Sequence, residues 1–432
     1  MINLRVDTAT PHHWRKISKE APVQCPALTG EEAADFAVVG GGYTGLVAAL
    51  TLATQGQSVI LLEGDEIGSG ASGRNNGLVL SHHSKASPSE IVGMLGRTRG
   101  ERYNAMIQGG AAVAFDLMRQ HSIACDAVET GWIQPAHSEA AAARVRKFHD
   151  EWVALGAPAE WLDRKAVSDR LGSPRYHGGW WAASAGHINP FAYATGLARA
   201  AQAAGARLFT RSPISAITPD AGHWRVSVPG GAVVAARVLV ATNALTGTFW
   251  PDLAKTLIPV KVYQTATGPI GDNLRGSIIP GNEAVSDTQR DIGAFHYDAR
   301  GGLITGGTHT VWQDAARRGR AAIARKLRHT FPQLGEVAVA EYWEGVLAVT
   351  PDRLPRLTRL APGVVFAGAY SGRGVALSSN LGAIAARWLS DRLDDDALPV
   401  PPGRIEPIPF HGVAVAAAQF VHPWHRLRDR LP

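Results

Sequence analysis

The sequence predicts an α/β protein: a discontinuous Rossmann-type domain joined to an α+β domain that carries an antiparallel sheet. Three observations predict it. A strand, a glycine turn, a helix and a second strand follow one another over residues 35–63. At the far end of the chain, Val364–Val375 repeats the order of strand, glycine turn and helix start. Between them, Leu257–Thr265 and Gly302–Thr308 alternate in the manner of antiparallel strands.

Residues 1–34 read as an irregular arm, because Pro11, Pro22, Pro26 and Gly30 interrupt any element. Asp35–Val39 is then a short apolar run of the kind buried in a parallel sheet. Gly40-Gly41-Gly42-Tyr43-Thr44-Gly45 follows with glycines in the G-x-G-x-x-G spacing. Leu46–Ala53 forms the helix, and Ser58–Leu62 a second strand ending in Glu63. Gly40 allows the tight turn, Gly42 lets a pyrophosphate approach the backbone, and Gly45 lets helix pack on strand. The helix start offers free N–H groups and partial positive charge to phosphate. Glu63 stands 18 positions beyond Gly45, where an acid meets the ribose hydroxyls and repels a 2′-phosphate. A glycine turn alone matches such a motif by chance; the ordered set points to a dinucleotide.

Composition narrows the class. The chain has 432 residues, 45% hydrophobic and 19% charged, an ordinary globular balance that excludes wholesale disorder. The net charge of +6 rests on 35 Arg and 8 Lys, and the densest cluster is Arg317-Arg318-Gly319-Arg320. Such dispersed basicity argues against a nucleic-acid partner. Cys25 and Cys125 form neither a disulfide framework nor a zinc cluster, which fits a cytoplasmic setting, and His82–His83 lacks further ligands, so no metal is expected. No secretory signal is visible at the start. The longest uncharged run, Phe36–Leu62, carries a triple glycine and polar residues unsuited to a membrane span. The apolar Phe410–Trp424 stretch is expected to pack on the nucleotide-binding domain.

Three later segments decide which dinucleotide. Gly68–Gly77 is rich in Gly, Ser and Asn and closely follows the ribose acid; Arg237–Ala244 is a strand entering a small-residue turn; Val364–Val375 closes the set. To these add Pro26–Gly30, His187-Ile188-Asn189-Pro190 before a helix, Tyr342-Trp343-Glu344-Gly345 with Thr350-Pro351-Asp352, and Tyr370–Asn380. Taken in order from Pro26 to about Leu389, they resemble the D-amino-acid-oxidase-like superfamily of FAD oxidoreductases, in the branch of gamma-glutamylputrescine oxidase. The resemblance implies an FAD-binding domain from residues 1–84, 187–247 and 341–432. It implies a substrate domain from 85–186 and 248–340, within which the sequence itself reads as helices at Glu101–His121 and Glu139–Leu155.

The resemblance assigns FAD contacts to Gly40, Gly42, Tyr43, Thr44, Gly45 and Glu63. Within the second loop it assigns Gly70, Ala71, Ser72, Arg74, Asn75, Asn76, Gly77 and Leu78. Ile214, Ala241 and Thr242 flank the cofactor, and Gly368, Ser371, Gly372, Arg373, Gly374, Val375 and Ala376 meet it at the last turn. Arg373, His309 and Tyr342 are the candidate catalytic residues, with His296, Tyr263 and Trp343 as further polar or aromatic candidates. Sarcosine-oxidase-like relatives carry a His and a Lys where this chain has Arg373 and Ala376, so that carboxylate clamp is missing. A lysine that assists oxygen reduction in them falls near Ile304, leaving Lys85, Lys255 and Lys261 as the nearby lysines. Neither cysteine lies where relatives attach flavin, so FAD is expected to be non-covalent. The function implied is oxidation of the C–N bond of an amine or N-substituted amino acid, with O₂ or another acceptor. The alternatives are an FAD-dependent 2-hydroxy-acid dehydrogenase and an FAD-bearing subunit of a larger complex.

Overall fold

The computed structural model describes residues 6–8, 10–83, 85–289, 293–308 and 314–428, the last nine of these by backbone alone. Two eight-stranded sheets organise it. The first runs in the order Arg356–Ala361, Val364–Gly368, Gly231–Val240, Gly30–Val39, Val59–Leu62, Arg207–Phe209, with His223–Val228 also paired to Gly231–Val240 and Ala216–Asp220 paired in turn to His223–Val228. Its central strands pair in parallel, Val38 opposite Leu61 on one side and Leu239 on the other. Val38, Leu61, Leu239 and Val365 share one core with the helices Tyr43–Thr54, Pro190–Ala203 and Gly374–Leu389. Ala37, Val39, Val238 and Val240 enter a second core on the opposite face. Burial on both faces explains why these strands read as unbroken apolar runs.

The arm is more ordered than its prolines suggest. The first strand begins at Gly30, paired with Gly231, and a short helix covers His13–Ile17. Glu31 and Glu32 project beyond the covered part of the sheet, so this half of the strand lacks the apolar signature. The expected helix from Glu101 to His121 is two helices, Arg97–Gln108 and Gly110–Gln120, broken at the Gly109–Gly110 pair. Helix Glu139–Ala154 agrees with the sequence to within one residue.

The second sheet runs Val339–Val349, Ile258–Pro269, Gly302–Thr308, Ala294–Tyr297, Ala284–Ser286, Trp132–Pro135, Gly179–Ala182, Ala159–Leu162. Its outer face packs on the helix Ala315–Thr330 through Tyr263, Phe295, Ile323 and Leu327. Its inner face, with Trp132, Trp180 and Ala182, belongs to the same core as the helices of the first sheet. Two expectations need correcting here. Residues from 341 onward were assigned to the nucleotide-binding domain, yet Val339–Val349 is the edge of the second sheet. The C-terminal helix His411–Arg428 also packs on the second sheet: the Gln419 amide donates to Pro259 O at 3.0 Å, and His411 Nε2 donates to Leu257 O at 2.7 Å. Among the described residues, no helix is long and apolar enough to cross a membrane.

Gly45 lies where the first helix crosses the first strand: a Cβ there would stand 2.0 Å from Gly40 O. That atom is backbone and cannot move aside. Gly45→Ala is therefore expected to cost about 3 kcal/mol or more in urea unfolding, an overpacking penalty at the upper end of its range.

Candidate active site

A cavity of about 2640 Å³ separates the two sheets. It exceeds by more than twofold the roughly 1,000 Å³ that holds one drug-sized ligand, so it has room for a long ligand and a second molecule. One end is the first glycine turn. Gly40 has φ +111°, and a Cβ on it would meet Ala241 O at 2.8 Å, so the turn tolerates no side chain. Gly42 faces Ser72 Oγ, which accepts a hydrogen bond from Tyr43 N at 3.0 Å; a Cβ on Gly42 would lie 2.9 Å from that oxygen. Glu63 accepts from Gly41 N at 2.7 Å and Asp65 N at 2.9 Å, and burial raises its pKa.

The last glycine turn reaches the same cavity. Ser371, Gly372, Arg373, Gly374, Val375 and Ala376 all line it, as do Ile214, Ala241 and Thr242. Tyr370 bridges the two turns directly, its hydroxyl 2.5 Å from Thr44 Oγ1. Two of the assigned cofactor contacts stand off the wall. Gly45 serves helix packing, and Gly368 lies against the Phe366 ring, where a Cβ would come within 2.7 Å.

The loop between them, Gly70 to Leu78, is gripped from behind. Trp343 Nε1 donates to Arg74 O at 2.9 Å, Trp14 Nε1 to Asn75 O at 2.9 Å, and His296 Nε2 to Asn76 O at 2.5 Å. Three successive carbonyls are thus capped by three ring N–H groups from three distant segments. Arg74 adds to the anchor, donating to Ser69 O, Glu344 O and Asp7 O. Asn76 Nδ2 donates to Gln264 Oε1 at 2.9 Å, while its own Oδ1 is buried without a partner among the described residues.

The remaining wall comes from the second sheet and its neighbouring helix: Gln134, His137, Phe148, Gln264, Ser286 and Thr288. No motif marks these residues. Gln134, Gln264 and Ser286 face the cavity because alternate side chains of paired strands share a face, while Phe148 comes from the helix Glu139–Ala154 and His137 and Thr288 from the segments that follow the strands. His137 Nδ1 lies 2.6 Å from Thr288 Oγ1.

The same alternation displaces one catalytic candidate. Tyr342 points to the outer face, stacked on Tyr263 at 5.2 Å with its hydroxyl donating to Glu344 Oε1 at 3.2 Å. Trp343, one residue on, points inward to the Arg74 carbonyl. Neither lines the cavity, and neither do Tyr263 and His296. His309 lies outside the described residues. Of the lysines, Lys85 lines the cavity, whereas Lys261 pairs with Glu344 at 2.7 Å and Lys255 with Asp252 at 2.7 Å. Cys25 and Cys125 are buried away from the cavity. Of the three catalytic candidates, Arg373 is the one seen at the cavity wall.

The family model described as DAO, FAD dependent oxidoreductase, matches residues 35–388. The chain belongs to this family. The FAD-dependent oxidoreductase is 31% identical over 420 residues to a probable oxidoreductase OrdL of Rhizobium meliloti, covering 95% of each chain. It is likewise 31% identical over 409 residues to the gamma-glutamylputrescine oxidoreductase of Escherichia coli, covering 92% of this chain and 93% of that one. Among solved structures, glycine oxidase from Geobacillus kaustophilus superposes with a TM-score of 0.71 at 22% identity, over 84% of this chain and 96% of that one. L-amino acid deaminase from Proteus vulgaris gives 0.71 at 20% identity, over 89% and 97%. The glycine cradle and the volume of the cavity fit FAD. Gly40–Thr44 and Ser72 would hold its phosphates, Glu63 its ribose, and Asn75–Leu78 with Gly372–Ala376 its ring end.

Two predictions follow from the grip on this loop and the residues beneath it. Trp343→Phe keeps the ring but orphans the Arg74 carbonyl; a loss of about 1–3 kcal/mol in urea unfolding is expected, with a lower FAD content after gel filtration. His83 Nε2 donates to Asn104 Oδ1 at 2.7 Å, and burial lowers its pKa to about 4. The unfolded chain, with a histidine pKa near 6.5, binds the proton more readily, so stability is lost as pH falls from about 6.5 to about 4. Urea titrations across that window are expected to show about 3 kcal/mol of this loss removed in His83→Gln, which keeps an N–H donor without a charge.

Proposed function

We propose that this FAD-dependent oxidoreductase oxidises the C–N bond of an amine or N-substituted amino acid to an imine, working in the cytoplasm with FAD held non-covalently. The chemistry FAD supplies when bound is acceptance, at N5, of a hydride from the carbon beside nitrogen, and water then hydrolyses the imine. The observation that carries the reading is the shared cavity: both glycine turns open onto it, and its opposite wall is a sheet offering polar side chains. Relatives support the substrate class, since they include a gamma-glutamylputrescine oxidoreductase and a glycine oxidase.

The chain's own residues perform three tasks in this reading. The loop from Arg74 to Gly77, fixed by Trp14, Trp343 and His296, presents a rigid backbone edge, so little reorganisation is needed when charge shifts during hydride transfer. The start of the helix Gly374–Leu389 brings partial positive charge to the same end. Gln134, Gln264 and Thr288 line the opposite wall, from which they can orient a polar substrate over the ring end.

The test is anaerobic mixing of the FAD-loaded protein with a panel of amines, N-alkyl amino acids and 2-hydroxy acids. Bleaching of the flavin absorbance by members of the first two groups is expected, and admission of air then reports whether O₂ is an acceptor. Bleaching by 2-hydroxy acids alone would overturn the reading, as would no bleaching by any compound.

A further inference from the structure

Gln134 and Ser286 both line the cavity, and the second sheet sets them side by side. Trp132–Pro135 and Ala284–Ser286 pair in parallel, with Ala284 opposite Trp132 and Val285 opposite Ile133. The next step of that register carries Ser286 alongside Gln134. Each is tied from behind by an indole. Trp180 Nε1 donates to Gln134 Oε1 at 2.9 Å, and Trp132 Nε1 donates to Ser286 Oγ at 2.8 Å. The two indoles are fully buried and meet edge to face at 5.2 Å, with His82 packed on both rings. Both tethers thus come from one rigid aromatic block.

An indole N–H donates and never accepts, so it fixes which atom of its partner it holds. The tethered atom of Gln134 is its oxygen, and the NH₂ is the end left over. Ser286 has given a lone pair to Trp132 and keeps its O–H. Neither the Gln134 NH₂ nor the Ser286 O–H donates to another group among the described residues. Gln134 is 5% exposed, so this donor sits in a nearly closed part of the wall. A substrate group that reaches it displaces the water serving these donors and has to supply acceptors in place of that water.

The polarity of the pair selects among arriving groups. Both donors are uncharged, and neither residue is bonded to a cation among the described residues. A neutral carbonyl oxygen, with two lone pairs, accepts from both. An ammonium sets N–H against N–H, and a methylene leaves both donors unpaired. A carboxylate leaves water for a pair that carries no counter-charge. Sites built to hydrogen-bond a substrate group reject the analogue lacking it far more sharply than an apolar pocket rejects a missing methylene.

We propose that Gln134 and Ser286, held by Trp180 and Trp132, form a subsite for a neutral carbonyl oxygen carried elsewhere on the amine substrate, so that an acylated amine is preferred to a plain alkylamine or a free diamine. The inference rests on the amine-oxidising reading and deepens it by assigning the residues that read the rest of the substrate.

The experiment is calorimetric titration of the FAD-loaded full chain with N-butylacetamide, which carries the carbonyl and no oxidisable amine. The parent is expected to bind it. Gln134→Glu keeps an oxygen for the Trp180 N–H but puts an acceptor where the NH₂ stood; affinity for the amide is expected to fall about tenfold or more. The same variant is expected to gain affinity for N-ethylbutylamine, in which CH₂ replaces the carbonyl and the nitrogen is cationic. Gln134→Leu, a second variant without added charge, is expected to lose about tenfold for N-butylacetamide while its affinity for pentanoate stays within about threefold of the parent. Ser286→Ala loses about threefold for the amide. Unchanged amide affinity in Gln134→Glu or Gln134→Leu overturns the proposal, as does failure of the parent to bind N-butylacetamide, or an equal loss for pentanoate in Gln134→Leu. In anaerobic bleaching, an N-acyl diamine is expected to reduce the parent flavin at lower concentration than the alkylamine of the same length, with the difference narrowed about tenfold in Gln134→Leu. Amide binding is read without turnover, so failure of the oxidase reading is distinguished from failure of the carbonyl subsite.

Discussion

The hydroxyl pair of Thr44 and Tyr370, 2.5 Å apart, joins segments separated by most of the chain and fixes the two mouths of the cavity to each other. It is possible only because the helices that start at these turns cross in close contact. Gly382 makes room for the crossing, since a Cβ there would stand 2.6 Å from Thr44 O. Val47, Leu381 and Ala385 fill the surrounding core with small and medium side chains. If this crossing opened, the glycine cradle and the final turn would separate, and no single ligand could touch both.

Around that crossing the protein treats polar groups in two opposite ways. The Arg74–Asn76 carbonyls each receive a ring N–H, so the loop has one backbone orientation and spends no ligand binding energy on becoming ordered. Among the described residues, the Arg373 guanidinium is left without an acceptor at the cavity wall. Satisfied groups behind the wall and unsatisfied ones on it are what a preorganised binding site requires. The buried His13–Asp298 pair, 2.7 Å apart, extends the same logic outward, tying the N-terminal helix to the second sheet behind the gripped loop.

The nucleotide half of the site was legible because its constraints are local. A turn that must have φ +111° at Gly40, or that admits no Cβ at Gly42, leaves glycine in the sequence at fixed spacing. The substrate half left no such mark. Gln134, Gln264 and Thr288 are ordinary strand and loop residues until the pairing of Trp132–Pro135 with Ala284–Ser286, and of Ile258–Pro269 with its neighbours in the same sheet, brings them to one cavity. Tyr342 and Trp343 show how narrow the margin is: adjacent in a conspicuous motif, they face opposite sides of their strand, and one supports the cofactor loop while the other packs outside. The arm misled for a related reason, because Gly30–Ala34 pairs as a strand through backbone bonds while its side chains stay partly exposed.

The amino-acid order by itself determined the α/β class, the strand and helix that bracket each glycine turn, the acid at Glu63 and the family likeness, since all of these depend on residues near one another in the chain. Only the tertiary structure decided that Val339–Val349 and the C-terminal helix join the second sheet, that Trp14, Trp343 and His296 meet at one loop, and that Arg373 stands unpaired on Trp132. Those outcomes depend on which side chains are brought together across long separations. Hydrophobic periodicity marks a buried face, but it does not name the residue that will lie against it.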